Sequence, residues 1–201
     1  MLKIKIVLLS LTSPITPSIS ASFGVIRSAN LQKKVKQVFA DETRPLLQGA
    51  RLTAYELHKD NIPVKIITDG MAAWTIKQEK INFAVVGADR IALNGDTANK
   101  IGTFGLAIIC KKFDVPFYIA APVSTFDFTA KTGNDIPVEL RDEKEVLSFN
   151  NVQVAPDGVG AFNPAFDVTP NNLISGIITE YGVLRPPYSE SIANLKEKTN
   201  E

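Results

Sequence analysis

The order in which short apolar runs and helical segments alternate limits this chain more than any other feature. "KIKIVLL" (Lys3–Leu9), "VKQVFA" (Val35–Ala40), "IPVKIITDG" (Ile62–Gly70), "INFAVVGAD" (Ile81–Asp89) and "VPFYIAAPVSTFD" (Val115–Asp127) are rich in β-branched and aromatic residues. Helical segments separate them. "FGVIRSANLQKKVK" (Phe23–Lys36) ends in basic residues, which suit a helix C-terminus. Pro45 fits a first helical position, and Leu47, Ala50, Ala54 and Leu57 recur at helical spacing after it. "MAAWTIKQEK" and "ANKIGTFGLAIICKKF" supply two more helices. Short, continuously apolar strands alternating with helices predict an α/β fold, a Rossmann-like parallel sheet flanked by helices on both faces. Its crossovers should be right-handed.

Elsewhere the pattern is weaker. The opening has Lys3 and Lys5 around an apolar run and a small-residue "SISAS", the layout of a poor secretory signal. The competing assignment is a first strand followed by a Ser/Thr/Pro loop. After Pro122, "TAKTGNDIPVELRDEKEVLSF" reads as a loop leading to a short strand or helix. Thr169 and Pro170 look like the cap and first position of a helix running through "NNLISGIITEYG" to Gly182. The tail from Arg185 is polar and Pro-led, so it should be loose. The expected organisation is a divergent strand and loop over 1–23, an α/β domain over 24–184 and a tail over 185–201.

Composition narrows the function classes. With a net charge of +1, nothing suggests nucleic-acid binding or an acidic tail. A single Cys and a single His leave neither a disulfide framework nor a zinc site of the usual Cys/His kind. That usage fits a reducing, cytoplasmic setting. No apolar run of about 18 residues offers a membrane span. His58 is expected at the surface, and Cys110, Trp74 and Phe104 in the core.

Ligands of open parallel sheets bind beyond the carboxyl ends of the strands. Asp41, Glu42 and Arg44, then Asp69, Asp89 and Arg90, then Ser124, Thr125 and Asp127 all fall at such ends. Within "GADRIALNGDTANKIG" (Gly87–Gly102), "NGD" makes a turn, and Asp96 or Thr97 is placed to cap a helix. Lys100 would then lie in a helix's first turn, where a cation is unfavourable by a few tenths of a kcal/mol. An anionic ligand such as a phosphate ester reverses that sign. The alternatives are a Lys100 that points into solvent and an Asp89 that merely pairs with Arg90.

"ETRPLLQGARLTAYEL", "VVGADRIALNGDTANKIGT", "PFYIAAP", "TGNDIPVELRD" and "NPAFDVTPNNLISGIITEYGV" closely resemble the methylthioribose-1-phosphate isomerase family, over about Gly24 to Val183. The C-terminal fold of that family is shared with the regulatory subunits of the initiation factor that exchanges guanine nucleotide. The resemblance implies aldose–ketose isomerisation of methylthioribose 1-phosphate to methylthioribulose 1-phosphate in methionine salvage. Asp89 would be the acid that helps the ring oxygen leave. Gln48, Asn99 and Lys100 would contact substrate. No metal or organic cofactor is implied, and a homodimer is. Two departures stand out. Nothing here corresponds to the family's N-terminal helical domain, with its Arg-Gly-Ala phosphate contact and further arginine. The family cysteine of a "CN-x-G" turn falls on Leu9. The competing expectation is a non-catalytic assembly module like the regulatory subunits.

Overall fold

The computed structural model describes residues 3–8 and 21–199. In chain order its elements are β1 (Ile4–Leu8), α1 (Ala21–Leu31), β2 (Val35–Asp41), α2 (Ala54–Lys59), β3 (Val64–Ile67), α3 (Ala72–Glu79), β4 (Phe83–Val86), β5 (Arg90–Ile91) and β6 (Thr97–Lys100). They continue with α4 (Thr103–Lys112), β7 (Phe117–Ala120), α5 (Lys144–Leu147), β8 (Ser148–Phe149), β9 (Val152–Gln153), β10 (Phe166–Thr169), β11 (Gly176–Thr179), β12 (Gly182–Leu184) and α6 (Tyr188–Thr199).

The main sheet has the order β12-β11-β7-β4-β1-β2-β3. Every neighbouring pair is parallel except β11 with β12. From β1 the chain winds outward through β2 and β3, then returns to β4 and winds the other way. The strand order therefore reverses between β1 and β4. Period-two alternation decides which residues face which layer. Val7, Phe39, Val86, Phe117 and Ile119 pack with Ile76 of α3, Leu106 of α4 and Ile192 of α6. Ile6, Leu8, Val38 and Val85 pack with Phe23 and Ile26 of α1 and Leu57 of α2. Each such apolar side chain, fully buried, contributes about 1.5–3 kcal/mol. The strand assigned to the opening forms over Ile4–Leu8 and sits in the middle of the sheet, so it belongs to the same unit as the domain expected to start at 24. Leu9 and the Ser/Thr/Pro stretch after it lie outside the described residues.

Several local expectations are overturned. The first helix ends at Leu31, because Lys33 takes a left-handed φ of 55° before β2 begins. Pro45 does not open a helix. Leu47 is left-handed, and helical structure starts only at Gly49. Thr169 is no cap: it ends β10 opposite Thr97, and Asn171–Leu173 is a single 3-10 turn. The predicted helix to Gly182 is instead β11 and β12. Ile177, Ile178 and Thr179 favour a strand, and β7 offers an open edge for β11. The tail is not loose: α6 buries Tyr188, Ile192 and Leu195, and the Tyr188 hydroxyl donates to the Ile174 carbonyl at 2.9 Å. Trp74 and Phe104 are exposed, not core, whereas Cys110 is buried and His58 exposed as expected.

Candidate functional site

Because β1, β2, β3, β4 and β7 run in one direction, their carboxyl ends share an edge of the sheet. Asp41 closes β2, Asp69 follows β3, and Gly87-Ala88-Asp89 leaves β4 beside the point where strand order reverses. Such a point splays the connecting loops apart and opens a crevice.

A small antiparallel sheet, β10-β6-β5, is reached from β4 directly through Gly87-Ala88-Asp89. It corrects the expected helix start. Thr97 to Lys100 are strand residues, with Lys100 opposite Phe166 and Asn99 opposite Asp167. Helix α4 begins after Gly102, whose φ of 103° suits glycine. Its N-terminus is not free for a phosphate. The Asp167 carboxylate accepts from the backbone N–H of Gly102 at 2.8 Å and of Phe104 at 3.0 Å. Burial pushes the Asp167 carboxyl up to about 6, against the pull of those two bonds. Nor does Asp96 cap that helix. It accepts from the Asn94 side chain at 2.8 Å, from Gly133 N at 3.0 Å and from Asn171 N and Nδ2 at 2.9 and 3.0 Å. It therefore ties three loops together.

Asp89, Asn99 and Lys100 are brought together on this sheet. The Asp89 N–H donates to Ala98 O at 2.9 Å, and Arg90 pairs with Ala98 in register. Arg90 does not pair with Asp89; its guanidinium meets Asp127 at 3.2 Å. Asp89 is open to solvent on one side. Enough protein still crowds its carboxyl that desolvation raises it above the ordinary range, and Lys100 pulls it partly back. Lys100 is 7% exposed and makes no ion pair among the described residues. Its ammonium lies 6.0 Å from the centre of the Phe166 ring. Burial lowers its proton affinity first and Arg141 second, against Glu145, Asp89 and Glu139. The Asn99 amide donates to Thr103 Oγ1 at 2.8 Å, and that hydroxyl donates to Lys100 O at 2.7 Å. Asn99 Oδ1 is buried without a partner.

Gln48 stands apart from these three, on the loop after β2. That loop is tightly held. Asp69 accepts from the N–H groups of Thr43 and Arg44, both at 2.8 Å. Thr43 and Leu47 have left-handed φ values of 64° and 59°. Gln48 Oε1 is buried and unpartnered. Arg44 reaches outward, donating to Val146 O at 3.0 Å and holding the C-terminal end of α5. The sequence did not single out Asp167, and it read Asp96 only as a candidate helix cap. Their partners lie 63 to 75 residues away for Asp167 and Asn171 bonds, beyond any local signal.

A doubly wound α/β domain with an acid, an amide and a buried lysine gathered after the strand at its strand-order reversal is the architecture in which small-molecule sites are commonly found. Residues 7–186 match the model of the initiation factor 2 subunit family, and the chain belongs to that family. Among curated relatives, methylthioribose-1-phosphate isomerase of Thermotoga petrophila is 57% identical over 180 residues, 90% of this chain and 52% of the relative. The enzyme of the same name from Acetivibrio thermocellus is 56% identical over 175 residues, 87% of this chain and 51% of the relative. Among solved structures, 5-methylthioribose 1-phosphate isomerase of Pyrococcus horikoshii matches with a TM-score of 0.93 at 41% identity, covering 98% of this chain and 55% of that one. The delta subunit of translation initiation factor eIF-2B from A. fulgidus matches at 0.90 and 38%, covering 98% and 58%. The chain spans about half the length of the curated relatives it matches.

Proposed function

We propose that the crevice binds methylthioribose 1-phosphate and isomerises it to methylthioribulose 1-phosphate. The observation that carries this is the juxtaposition of a carboxyl raised by desolvation, Asp89, with a buried, unpaired ammonium, Lys100. The relatives' activity supports the same reading. A sugar phosphorylated at C1 cannot open as a free sugar does. Asp89, protonated, gives its proton to the ring oxygen as the bond from C1 to that oxygen breaks. A hydride, the C2 hydrogen with its bonding electron pair, then passes to the electron-poor C1, the C2 hydroxyl becomes the ketone, and the proton it releases returns to the Asp89 carboxylate. Lys100 attracts the phosphate, while Gln48 and Asn99 accept from sugar hydroxyls. A cytoplasmic setting and a homodimer go with this reading. The latter is supported by the exposed Leu140, Val152, Val154 and Phe162 on the excursion between Leu140 and Pro164.

A second reading rests on Leu9, which stands where the family cysteine falls. A crevice that still binds but no longer turns over would make the chain an assembly module. One experiment separates the two: an isomerase assay on the purified parent, Asp89→Asn and Leu9→Cys. Turnover in the parent should fall at least about a hundredfold in Asp89→Asn, the range of a general acid. Activity that survives Asp89→Asn unchanged sinks the acid assignment. Turnover seen only after Leu9→Cys favours the binding module.

A further inference from the structure

Gln48 follows β2 of the main sheet, while Asn99 and Lys100 belong to β6 of the small one. A ligand held by both must find them at one fixed separation, and Arg44 lies between them. It is tied at both ends. Its backbone N–H donates to Asp69 Oδ2 at 2.8 Å, which fixes its main chain beside the end of β3. Its guanidinium donates to Val146 O at 3.0 Å and to Glu145 O and Ser148 O at 3.4 Å, and lies 5.6 Å from the centre of the Phe149 ring. Those carbonyls stand at the end of α5, where no further helical turn is present to use them. A planar fork of donors suits several carbonyls better than a point charge does.

From α5 the connection continues to the Lys100 side. The Glu145 carboxylate accepts from Arg141 Nε at 3.1 Å and from Asn163 Nδ2 at 3.1 Å. The Arg141 N–H donates to Asn163 O and the Ala165 N–H to Glu139 O, both at 2.9 Å. The Ile101 N–H donates to Ala165 O at 3.2 Å, so residues 139–141 and 163–165 extend the small sheet beside Lys100. Arg141, Glu145 and Glu139 are accordingly among the charges that act on Lys100. On the other side, Gln48 shares the loop of Arg44. The Leu47 N–H donates to Thr43 O at 2.8 Å and the Ala50 N–H to Glu42 O at 3.3 Å, so the turn carrying Gln48 is seated on the end of β2 and moves with Arg44.

We propose that Arg44 is a positioning residue of the sugar site: by joining the Gln48 loop to α5, it sets the reach from Gln48 to Lys100 across the two sheets. It touches no ligand itself and acts through Gln48. The inference rests on the isomerase reading.

The test uses the full chain with Arg44→Ala, Gln48→Ala and the double variant. Methylthioribose 1-phosphate and inorganic phosphate are titrated calorimetrically at a temperature where each protein is folded, and amide hydrogen exchange is followed without ligand. A contact misplaced by about an ångström can cost about a hundredfold, so Arg44→Ala should weaken the phosphosugar about tenfold or more. Inorganic phosphate, too small to reach both sheets, should bind the parent and Arg44→Ala equally. In the Gln48→Ala background, Arg44→Ala should cost less than about twofold more, because the contact it positions is already gone. Exchange in Arg44→Ala should rise at Val146 and Leu147 of α5 and at Leu47 and Arg51 of the loop together. Full additivity of the two substitutions makes Arg44 a merely structural residue and overturns the proposal. So does unchanged phosphosugar binding in Arg44→Ala, or inorganic phosphate weakened to the same degree. Exchange that rises in α5 alone shows a loop held without Arg44, and overturns it too. If alanine prevents folding, Arg44→Lys takes its place: lysine keeps the charge and loses the fork, and phosphosugar binding equal to the parent's is then the overturning result. A parent that takes up no phosphosugar removes the isomerase reading and with it the site that Arg44 serves, whereas a parent that binds while the cycle is additive removes only the role of Arg44.

Discussion

Gly49→Ala pits the local sequence against the fold. Gly49 opens the single wide helical turn that leads into α2. By helix propensity alone, alanine in a helical position is better than glycine by about 1 kcal/mol. The structure predicts the opposite sign. The new Cβ would sit 1.7 Å from Asp41 O, 2.8 Å from Thr43 Oγ1 and 2.9 Å from the Asp41 carbonyl carbon. Two of those three atoms are backbone and cannot rotate away. Asp41 is also pinned, because it is the last residue of β2 and pairs with Ile67. Overpacking of this kind costs about 1–3 kcal/mol, and displacing the Thr43 hydroxyl from Asp41 O adds about 1. Set against the propensity gain, the net loss is about 1–3 kcal/mol, or roughly 2–12 °C in Tm for a chain of this length. Gly105→Ala is the control. It lies within α4 with nothing inside 4 Å of its Cβ, so it should gain about 0.5–1 kcal/mol. Thermal unfolding of the two variants in parallel measures both. A Gly49→Ala protein as stable as its Gly105→Ala counterpart would refute the close approach, and with it the claim that the Gln48 turn is seated on β2.

Two further outcomes follow from the same geometry. Lys100→Met removes a buried ammonium that makes no ion pair among the described residues and keeps its volume, so the variant should be more stable than the parent by about 1 kcal/mol at pH 7 while binding phosphate at least about tenfold more weakly; chemical denaturation and phosphate titration read the two effects separately, and a destabilised variant argues that the surrounding carboxylates already compensate the charge. Cys110 is buried in α4, and desolvation pushes its thiol up to about 12, so a thiol reagent at pH 8 should label the native protein only as fast as the chain opens; labelling in mild denaturant that runs ahead of the loss of tertiary signal would show an accessible cysteine instead.

The main sheet was legible because each of its first five parallel strands is a short apolar run bounded by a helix, and period and punctuation are local. What the sequence misassigned lies where a distant partner decides the backbone. "TANK" has Thr and Asn beside a glycine that can end or begin a helix, and nothing nearby reveals that Phe166 to Thr169 pair with it. "VTPNNLISGIITEYG" carries a cap-like Thr-Pro, yet the edge of β7 recruits Gly176–Thr179 as a parallel strand and the chain folds back as β12. Trp74 was assigned to the core on size alone; it is 65% exposed, with Lys77 stacked 5.7 Å from its ring centre.

The misplacement of Lys100 also changes the physics of the candidate site. In the first turn of a helix, Lys100 would have worked beside free N–H groups, and the anion preference would have come from the helix. In the structure those groups belong to Asp167, on the strand opposite Asn99. Any pull on an anion would then come from the ammonium itself, held in a strand, 7% exposed and set among Arg141, Glu145, Asp89 and Glu139 with no ion pair among the described residues. A cation in such surroundings gains more from an incoming phosphate than one already paired, because the desolvation has been met in folding and the attraction has not yet been used. The same logic applies to the neutral side of the crevice. Among the described residues Gln48 and Asn99 leave their amide oxygens without partners, and Asp41 leaves both carboxylate oxygens without one. A buried polar atom left without a partner costs the fold about 1–3 kcal/mol. Asp41 closes β2 and Gln48 follows it at the carboxyl edge of the main sheet, whereas Asn99 and Lys100 belong to β6 of the small sheet, so a ligand common to them would have to bridge the two sheets.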